Sequence, residues 1–298
     1  MIGPKSVIPR RSRGTSSAHL VRMAFLTVGK ENSADIQLYY EDRGSGKPVI
    51  LVHGWPLSGG SWERQSAMLL QSGFRVITYD RRGFGRSSAP EGGYEYDTLA
   101  GDLAKLIDKL DIQGAAVVGF SMGGGEVARY MSKYDGKGIV KAGFISSIAP
   151  ALRKDGNNPD GVDPAVFEGL KRGIQADRYA FLTGFFKDFY NKKILGGTHI
   201  SDEAIQASWN VAASSSSGAM LKCIDAWLED FRPDLANLKV PTLVIHGDAD
   251  QIVPSKASGE RMMQYVKQAQ VHIIKDAPHG CNWTHATDVN KKLLEFLR

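Results

Sequence analysis

The sequence predicts an α/β fold built on a mainly parallel sheet with helices on both faces. Three observations carry this. Apolar runs of strand length alternate with helical patterns from about Thr27 to the C-terminus, which is the alternation of βαβ units. Several of those runs are apolar throughout rather than at every second residue, as in strands buried on both sides. The rhythm then breaks once, between about 151 and 233, where helical patterns dominate and no clear strand stands out. A helical insertion on a parallel sheet is a candidate cap.

The elements follow in order. "IQLYYEDRG" (Ile36 to Gly44) reads as a strand entering a turn, and "PVILVHG" (Pro48 to Gly54) as a strand buried on both faces. "SWERQSAMLLQSG" has Trp62, Met68, Leu69 and Leu70 near helical spacing, with Gly73 as the stop. "RVITYD" is another buried strand. "TLAGDLAKLIDKLDI" places Leu99, Leu103, Leu106, Ile107 and Leu110 on one helix face. "AAVVGFSMGGGEVARYM" (Ala115 to Met131) reads as strand, turn and helix, and "VKAGFISSIAP" as a strand. Within the insertion, "PAVFEGLKRGIQ" and "AMLKCIDAWLEDF" read as helices and Ser214–Ser217 as a turn. "PTLVIHG" resumes the sheet, followed by a helix from about Pro254 to Val266, the strand "AQVHIIKDA" and a last helix ending at Arg298. The division is a core of 23–150 and 234–298 around a cap of 151–233, with no internal repeat.

With 298 residues, 42% hydrophobic and 23% charged, the chain suits one large globular domain with an insertion. No apolar run is long enough to cross a bilayer. Cys223 and Cys281 make no disulfide framework and point to a reduced, cytoplasmic protein. The formal charge of +5 is not spread over the fold: residues 1–22 hold five basic residues and no acidic one, leaving 32 basic against 32 acidic in the rest. A nucleic-acid surface on the folded domain is thereby excluded. The basic tail has no periodicity and is expected to be disordered. It reads as sequence upstream of a start at Met23, or as an extension without function, in preference to an Arg- and Ser-rich, acid-free targeting peptide; a secretory or twin-arginine signal is disfavoured because no apolar segment follows the arginines. A homo-oligomer stays open.

Gly119-Phe120-Ser121-Met122-Gly123 is G-x-S-x-G between an apolar strand and a helix, the setting of a nucleophile elbow. Gly119 and Gly123 stand where a Cβ would clash with strand and helix, and Gly124 and Gly125 are read as letting the helix approach the sheet. A serine hydroxyl needs a base held by an acid. In this architecture they follow in the order acid, then histidine. Among the later histidines, His199 falls in the insertion, His246 precedes any suitable acid, His272 lies within a strand and His285 opens the last helix. His279, in "APHG", stands in a loop after the final strand and is the expected base. Asp248 and Asp250 follow the preceding strand; Asp250, deeper in the loop, is preferred as the acid, with Asp248 bonding locally. The Met122 N–H, at a helix start, is one expected oxyanion donor, and the Trp55 N–H, in the loop after "PVILVHG", is the second. His53 is read as a brace for that loop. There is no P-loop, no dinucleotide fingerprint and no metal-ligand spacing, so no cofactor and no metal is expected. With all three triad members present, an enzyme is favoured over a binding protein.

From Met23 onward the chain resembles the α/β-hydrolase superfamily, and within it the bacterial cofactor-free haloperoxidases, or perhydrolases, whose relatives include aryl esterases and a γ-lactamase. "LYYEDRGSGKPVILVHGWPLSG", "SWERQ", "RVITYDRRGFGRSS", "YEYDTLAGDL", "VVGFSMGGGEVARY", "SWNVAAS", "IHGDADQIVP" and "APHG" carry the likeness. The resemblance implies Ser121, Asp250 and His279 as the triad and the Trp55 and Met122 amides as the oxyanion hole. It implies a small ester, carboxylic acid or lactam and hydrogen peroxide as substrates, with halide oxidised by the released peracid. It also singles out Pro56, which in that family is associated with peroxide rather than water as acyl acceptor; a proline that only shapes the loop is the other reading. Trp55, Pro56, Phe120, Met122 and Cys281 are expected around a small apolar acyl pocket. "HGCNWTH" departs from the family by placing Cys281 and Asn282 after the histidine, which leaves pocket shape open.

Overall fold

A computed structural model describes residues 22–192 and 199–298. The expectations for residues 1–21 lie outside the described residues. Eight strands form one sheet: β1 (Arg22–Glu31), β2 (Ala34–Arg43), β3 (Pro48–Val52), β4 (Arg75–Tyr79), β5 (Ala115–Phe120), β6 (Ile139–Ile145), β7 (Thr242–Gly247) and β8 (Ala269–Ile274), in the order β1-β2-β4-β3-β5-β6-β7-β8. β2 pairs antiparallel with both neighbours and every other pairing is parallel. β5 and β7 are buried at every position, as their unbroken apolar runs require. No strand is expected from the sequence before Ile36, but the chain is extended as β1 from Arg22, before the start of periodicity at about Thr27.

The helices between strands are α1 (Glu63–Gln71), α2 (Tyr96–Lys109) and α3 (Met122–Lys133), with a closing helix Ala286–Leu297 packed on α1. The step from β3 to β4 runs one way along the sheet, and the steps from β4 to β5 and β5 to β6 run the other. Right-handed crossovers therefore put α1 and the closing helix on one face and α2 and α3 on the opposite one. The reversal falls between β3 and β5, which lie side by side with Val52 opposite Gly119. The carboxyl ends of strands at such a reversal frame a crevice.

Among the described residues, three long helices lie between β6 and β7, α4 (Pro164–Phe189), α5 (Asp202–Ala213) and α6 (Ser217–Ala226), followed by the short helical turn Arg232–Leu235. Each long helix starts on a side chain that takes up an otherwise unbonded N–H: Asp163 accepts from Ala165, Ser201 from Ala204 and Ser216 from Ala219. The Ser214–Ser217 run is thus a turn and a cap. α4 is broken at Asp177 (φ −161°, ψ 95°), whose Oδ1 accepts from Tyr179 and Ala180 and restarts the helix.

The helix expected from Pro254 to Val266 is instead two 3₁₀ turns, Ser255–Ala257 and Gly259–Arg261, and one α-turn, Met262–Tyr265. Ser258 (φ −135°, ψ −84°) interrupts it. A Cβ on Gly259 would lie 2.6 Å from Nδ1 of His246, so the chain turns there against the β7 side chain. Among the described residues, no helix is long and apolar enough to cross a membrane.

Candidate active site

Ser121 follows β5 directly and sits at φ +56°, ψ −121°, a left-handed backbone that costs an L-residue strain. Its N–H donates to Ile145 O (2.9 Å) and its carbonyl accepts from Gly124 N (2.9 Å). The glycines behave as expected at two places: a Cβ on Gly119 would strike the Gly123 carbonyl, and one on Gly123 the Val52 carbonyl. The other two differ from expectation. Gly124 makes room for Ser147, in the loop after β6, and Gly125 for Phe231 and Tyr96. Their nearest neighbours are loop and helix side chains, with Phe144 of β6 also 3.4 Å from a Cβ on Gly124.

His279 reaches Ser121 from the loop after β8, its Nε2 2.9 Å from Oγ. Its Nδ1 is 2.7 Å from Oδ2 of Asp250, in the loop after β7. The three side chains form one hydrogen-bonded line joining three strand ends, and all are buried. The remaining oxygen of Asp250, Oδ1, accepts from Ile252 N (2.9 Å) and Val253 N (2.8 Å). Burial pushes the Asp250 carboxyl up, but the charges and hydrogen bonds of His279 and His246 outweigh it and hold the group well below the usual carboxylate range. Phe120 and Phe189 flank the His279 ring at 5.2 and 4.9 Å. Gly280 N donates to Phe189 O (3.0 Å), tying the histidine loop to α4.

Asp248 keeps to its local role: its Oδ1 accepts from Asp276 N (2.6 Å). His53 braces the loop after β3. Its ring is fully buried, its Nε2 accepts from Arg81 N (2.9 Å) and its Nδ1 donates to Gly54 O (2.9 Å). Burial, with Arg81 nearby, holds it well below the ordinary histidine value. Arg81 donates from Nη2 to His53 O (2.8 Å) and from Nε to Glu126 of α3 (2.8 Å), so a buried ion pair links the β3 loop to the helix behind Ser121. The same loop comes so close to Ser121 that a Cβ on Gly54 would lie 2.9 Å from the serine Cβ. The turn at Gly54 is closed by the Leu57 N–H, not by that of Trp55. The Trp55–Pro56 peptide is cis, and Pro56 O accepts from Ser215 Oγ (3.4 Å), at the turn before α6.

Above Ser121 and His279 opens a cavity of about 460 Å³. Its walls are apolar: Trp55 and Trp227, with ring centroids 4.9 Å apart, Phe181 and Phe185 from α4, and Ile148, Leu152 and Ile252. Asp188 and Gln251 are polar members of the wall. This corrects the expected pocket. It is larger than a small acyl pocket, and while Trp55 is in its wall, Pro56, Phe120, Met122 and Cys281 are not. Phe120 is fully buried between Trp62, Phe189 and His279. Cys281 faces Ser146 Oγ at 3.4 Å, and burial pushes its thiol up to about 12. Phe120 is the last residue of β5, so its side chain packs within the core instead of following Ser121 into the cavity, and Cys281 opens a short helical turn (Cys281–Thr284) that carries its thiol to Ser146. The α4 aromatics were beyond sequence reasoning, because only the fold carries that helix over the sheet. Among the described residues, no group of three or more His, Cys, Asp or Glu side chains could hold a metal.

Residues 47–286 match the model of the alpha/beta hydrolase fold family. The chain belongs to that family. It is 53% identical over 276 residues to a protein of Synechocystis sp. provisionally named a non-heme chloroperoxidase, covering 93% of this chain and all of the relative. It is 36% identical to the bifunctional esterase/perhydrolase of Acinetobacter calcoaceticus, covering 88% and 96% of the two chains. Among solved structures, the bromoperoxidase from Bacillus anthracis superposes with a TM-score of 0.89 at 46% identity, covering 93% and 99%.

Proposed function

We propose that the protein is a serine esterase and perhydrolase. Ser121 Oγ attacks the carbonyl of an ester or carboxylic acid while His279 Nε2 takes its proton, and Asp250 steadies the imidazolium that forms. The N–H groups of Met122 and Trp55 receive the developing oxyanion, and each such donor is worth about 2.7–4 kcal/mol in the transition state. The leaving alcohol or water takes the proton back from His279, leaving an acyl-serine. Water then gives the carboxylic acid; hydrogen peroxide gives the peracid and restores the serine hydroxyl. Outside the protein, the peracid oxidises halide: RCO₃H and bromide yield RCO₂⁻ and HOBr. No step draws on a cofactor.

The observation that carries this reading is the unbroken Ser121–His279–Asp250 line opening on a cavity. The relatives named chloroperoxidase, bromoperoxidase and esterase/perhydrolase support peroxide as one acyl acceptor. The helical segment 151–233 serves as the cap, since α4 supplies much of the cavity wall. A cavity of about 460 Å³ favours an ester whose apolar part is larger than acetyl, so hydrolysis of such an ester is the second reading, with peracid formation incidental. Two buried, unpaired cysteines accord with a reducing, cytoplasmic setting.

The test is Ser121→Ala, assayed for p-nitrophenyl ester hydrolysis and for peroxide-dependent bromination in carboxylate buffer. Both are expected to fall together by about 10⁴-fold or more. Bromination that survives the substitution rules out the acyl-enzyme route. A kcat/KM for one ester far above that for peracid formation favours the second reading.

A further inference from the structure

His246, which the chain order sets aside as a base, lies against the acid of the relay. It is the penultimate residue of β7 and is fully buried. Its Nε2 stands 2.8 Å from the Val253 carbonyl oxygen and 3.1 Å from Oδ2 of Asp250. Both neighbours can only accept, so Nε2 carries a proton. Nδ1 has no hydrogen-bond partner and faces the backbone of Gly259. Val253 therefore gives its N–H to Asp250 Oδ1 and its carbonyl to His246. The acid loop is closed onto the end of β7 by one buried imidazole. Asp250 Oδ2 meanwhile has two imidazole neighbours, His279 at 2.7 Å and His246 at 3.1 Å.

We infer that His246 is a positioning residue for the relay: as an Nε2–H donor it pins the 250–253 loop and takes up part of the charge on Asp250 Oδ2, setting how strongly that oxygen acts on His279. This rests on the relay proposed above. The groups facing the Asp250 carboxylate are His279 from the loop after β8, His246 from β7 and the Cys281 thiol. Ser121 and Asp188 of α4 line the cavity beside His279. With the second donor removed, Oδ2 acts on His279 alone. The imidazolium is then favoured and the acid limb of the pH–rate profile moves to higher pH.

The experiment compares His246→Leu, which removes the donor, with His246→Gln, whose amide nitrogen reaches the same place. Ester hydrolysis is followed across pH. In the leucine variant kcat is expected to fall about tenfold with KM within about twofold, and the acid limb of kcat/KM to rise by about half a pH unit or more. The glutamine variant should recover most of kcat and return the limb. A folded leucine variant with an unmoved limb and kcat within about twofold overturns the inference, as does a glutamine variant no better than leucine. If the leucine variant does not fold, long-range ¹H–¹⁵N spectra of the wild type decide: a proton on Nε2 of His246 supports the role, and one on Nδ1 alone overturns it. Asp250→Asn separates the two levels, because wild-type turnover in that variant overturns the relay itself and this inference with it.

Discussion

Ser121 is held at φ +56° between Gly54, Gly119 and Gly123, whose missing side chains would strike it or the backbone around it. Gly123 makes the point most sharply. Its missing side chain would meet the Val52 carbonyl, a strand atom that cannot turn aside as a flexible side chain could. Gly123→Ala should therefore destabilise the fold by about 1–3 kcal/mol through overpacking and lower turnover by moving the Met122 amide. Urea midpoints and kcat on one ester check both. At this scale the sequence was highly legible. The G-x-S-x-G spacing, the later aspartate and the loop histidine meet in space as the chain order implied. What escaped were side chains whose direction the sequence does not state. Phe120 precedes Ser121 and Cys281 stands two residues after His279, yet both lie outside the cavity wall. His246 was passed over because chain order speaks to a base and is silent about a donor behind the acid.

Among the elements, β3, β4 and α3 are locked together by Arg81 and Glu126, both essentially inaccessible to solvent. Tyr79 donates to the same carboxylate. A buried charge that loses its partner is costly, so Glu126→Ala should destabilise by about 3–5 kcal/mol. Replacing Arg81 and Glu126 together by apolar residues of similar volume should recover much of that loss. Denaturant unfolding of the single and double variants provides the comparison, and a double variant no more stable than the single one would sink the idea. Periodicity located β2 to β8 and the amphipathic α2, since burial repeats with the geometry of the element, but it did not single out the edge strand β1. It failed at Pro254–Val266, where the apolar spacing is helical but Ser258 and the tight seat of Gly259 against His246 divide the segment into short turns. Spacing reports which side is wet; it does not report what the other side must fit around.

At the scale of the whole molecule, the helical segment and the sheet enclose a cavity that neither makes alone. Trp55 comes from the β3 loop, Phe181 and Phe185 from α4, and Ile252 from the acid loop. Each methylene buried there contributes about 0.8 kcal/mol, or roughly fourfold. Across p-nitrophenyl esters from acetate to hexanoate, kcat/KM should climb by up to that factor per carbon. Leu170→Trp, which fills the wall, should flatten or reverse the series. A wild-type profile that peaks at acetate contradicts this use of the cavity. The sequence places helices between two strands of the sheet, but the volume of the cavity depends on where the kink at Asp177 sends the second half of α4.

The two cysteines have a consequence for how this molecule opens. Cys223 lies in α6 and Cys281 beside the histidine loop, and each is wholly buried with its thiol pushed up to about 12 by that burial. Thiolate is the reactive form, so the native protein is silent to disulfide reagents and each sulfur becomes a stopwatch for its own neighbourhood. If the helical segment lifts from the sheet as a unit, Cys223 is tagged at a rate of its own while Cys281 waits for the core to come apart. Mass spectrometry of the tagged peptides over time separates the two clocks, and identical rates would mean that segment and sheet unfold as one.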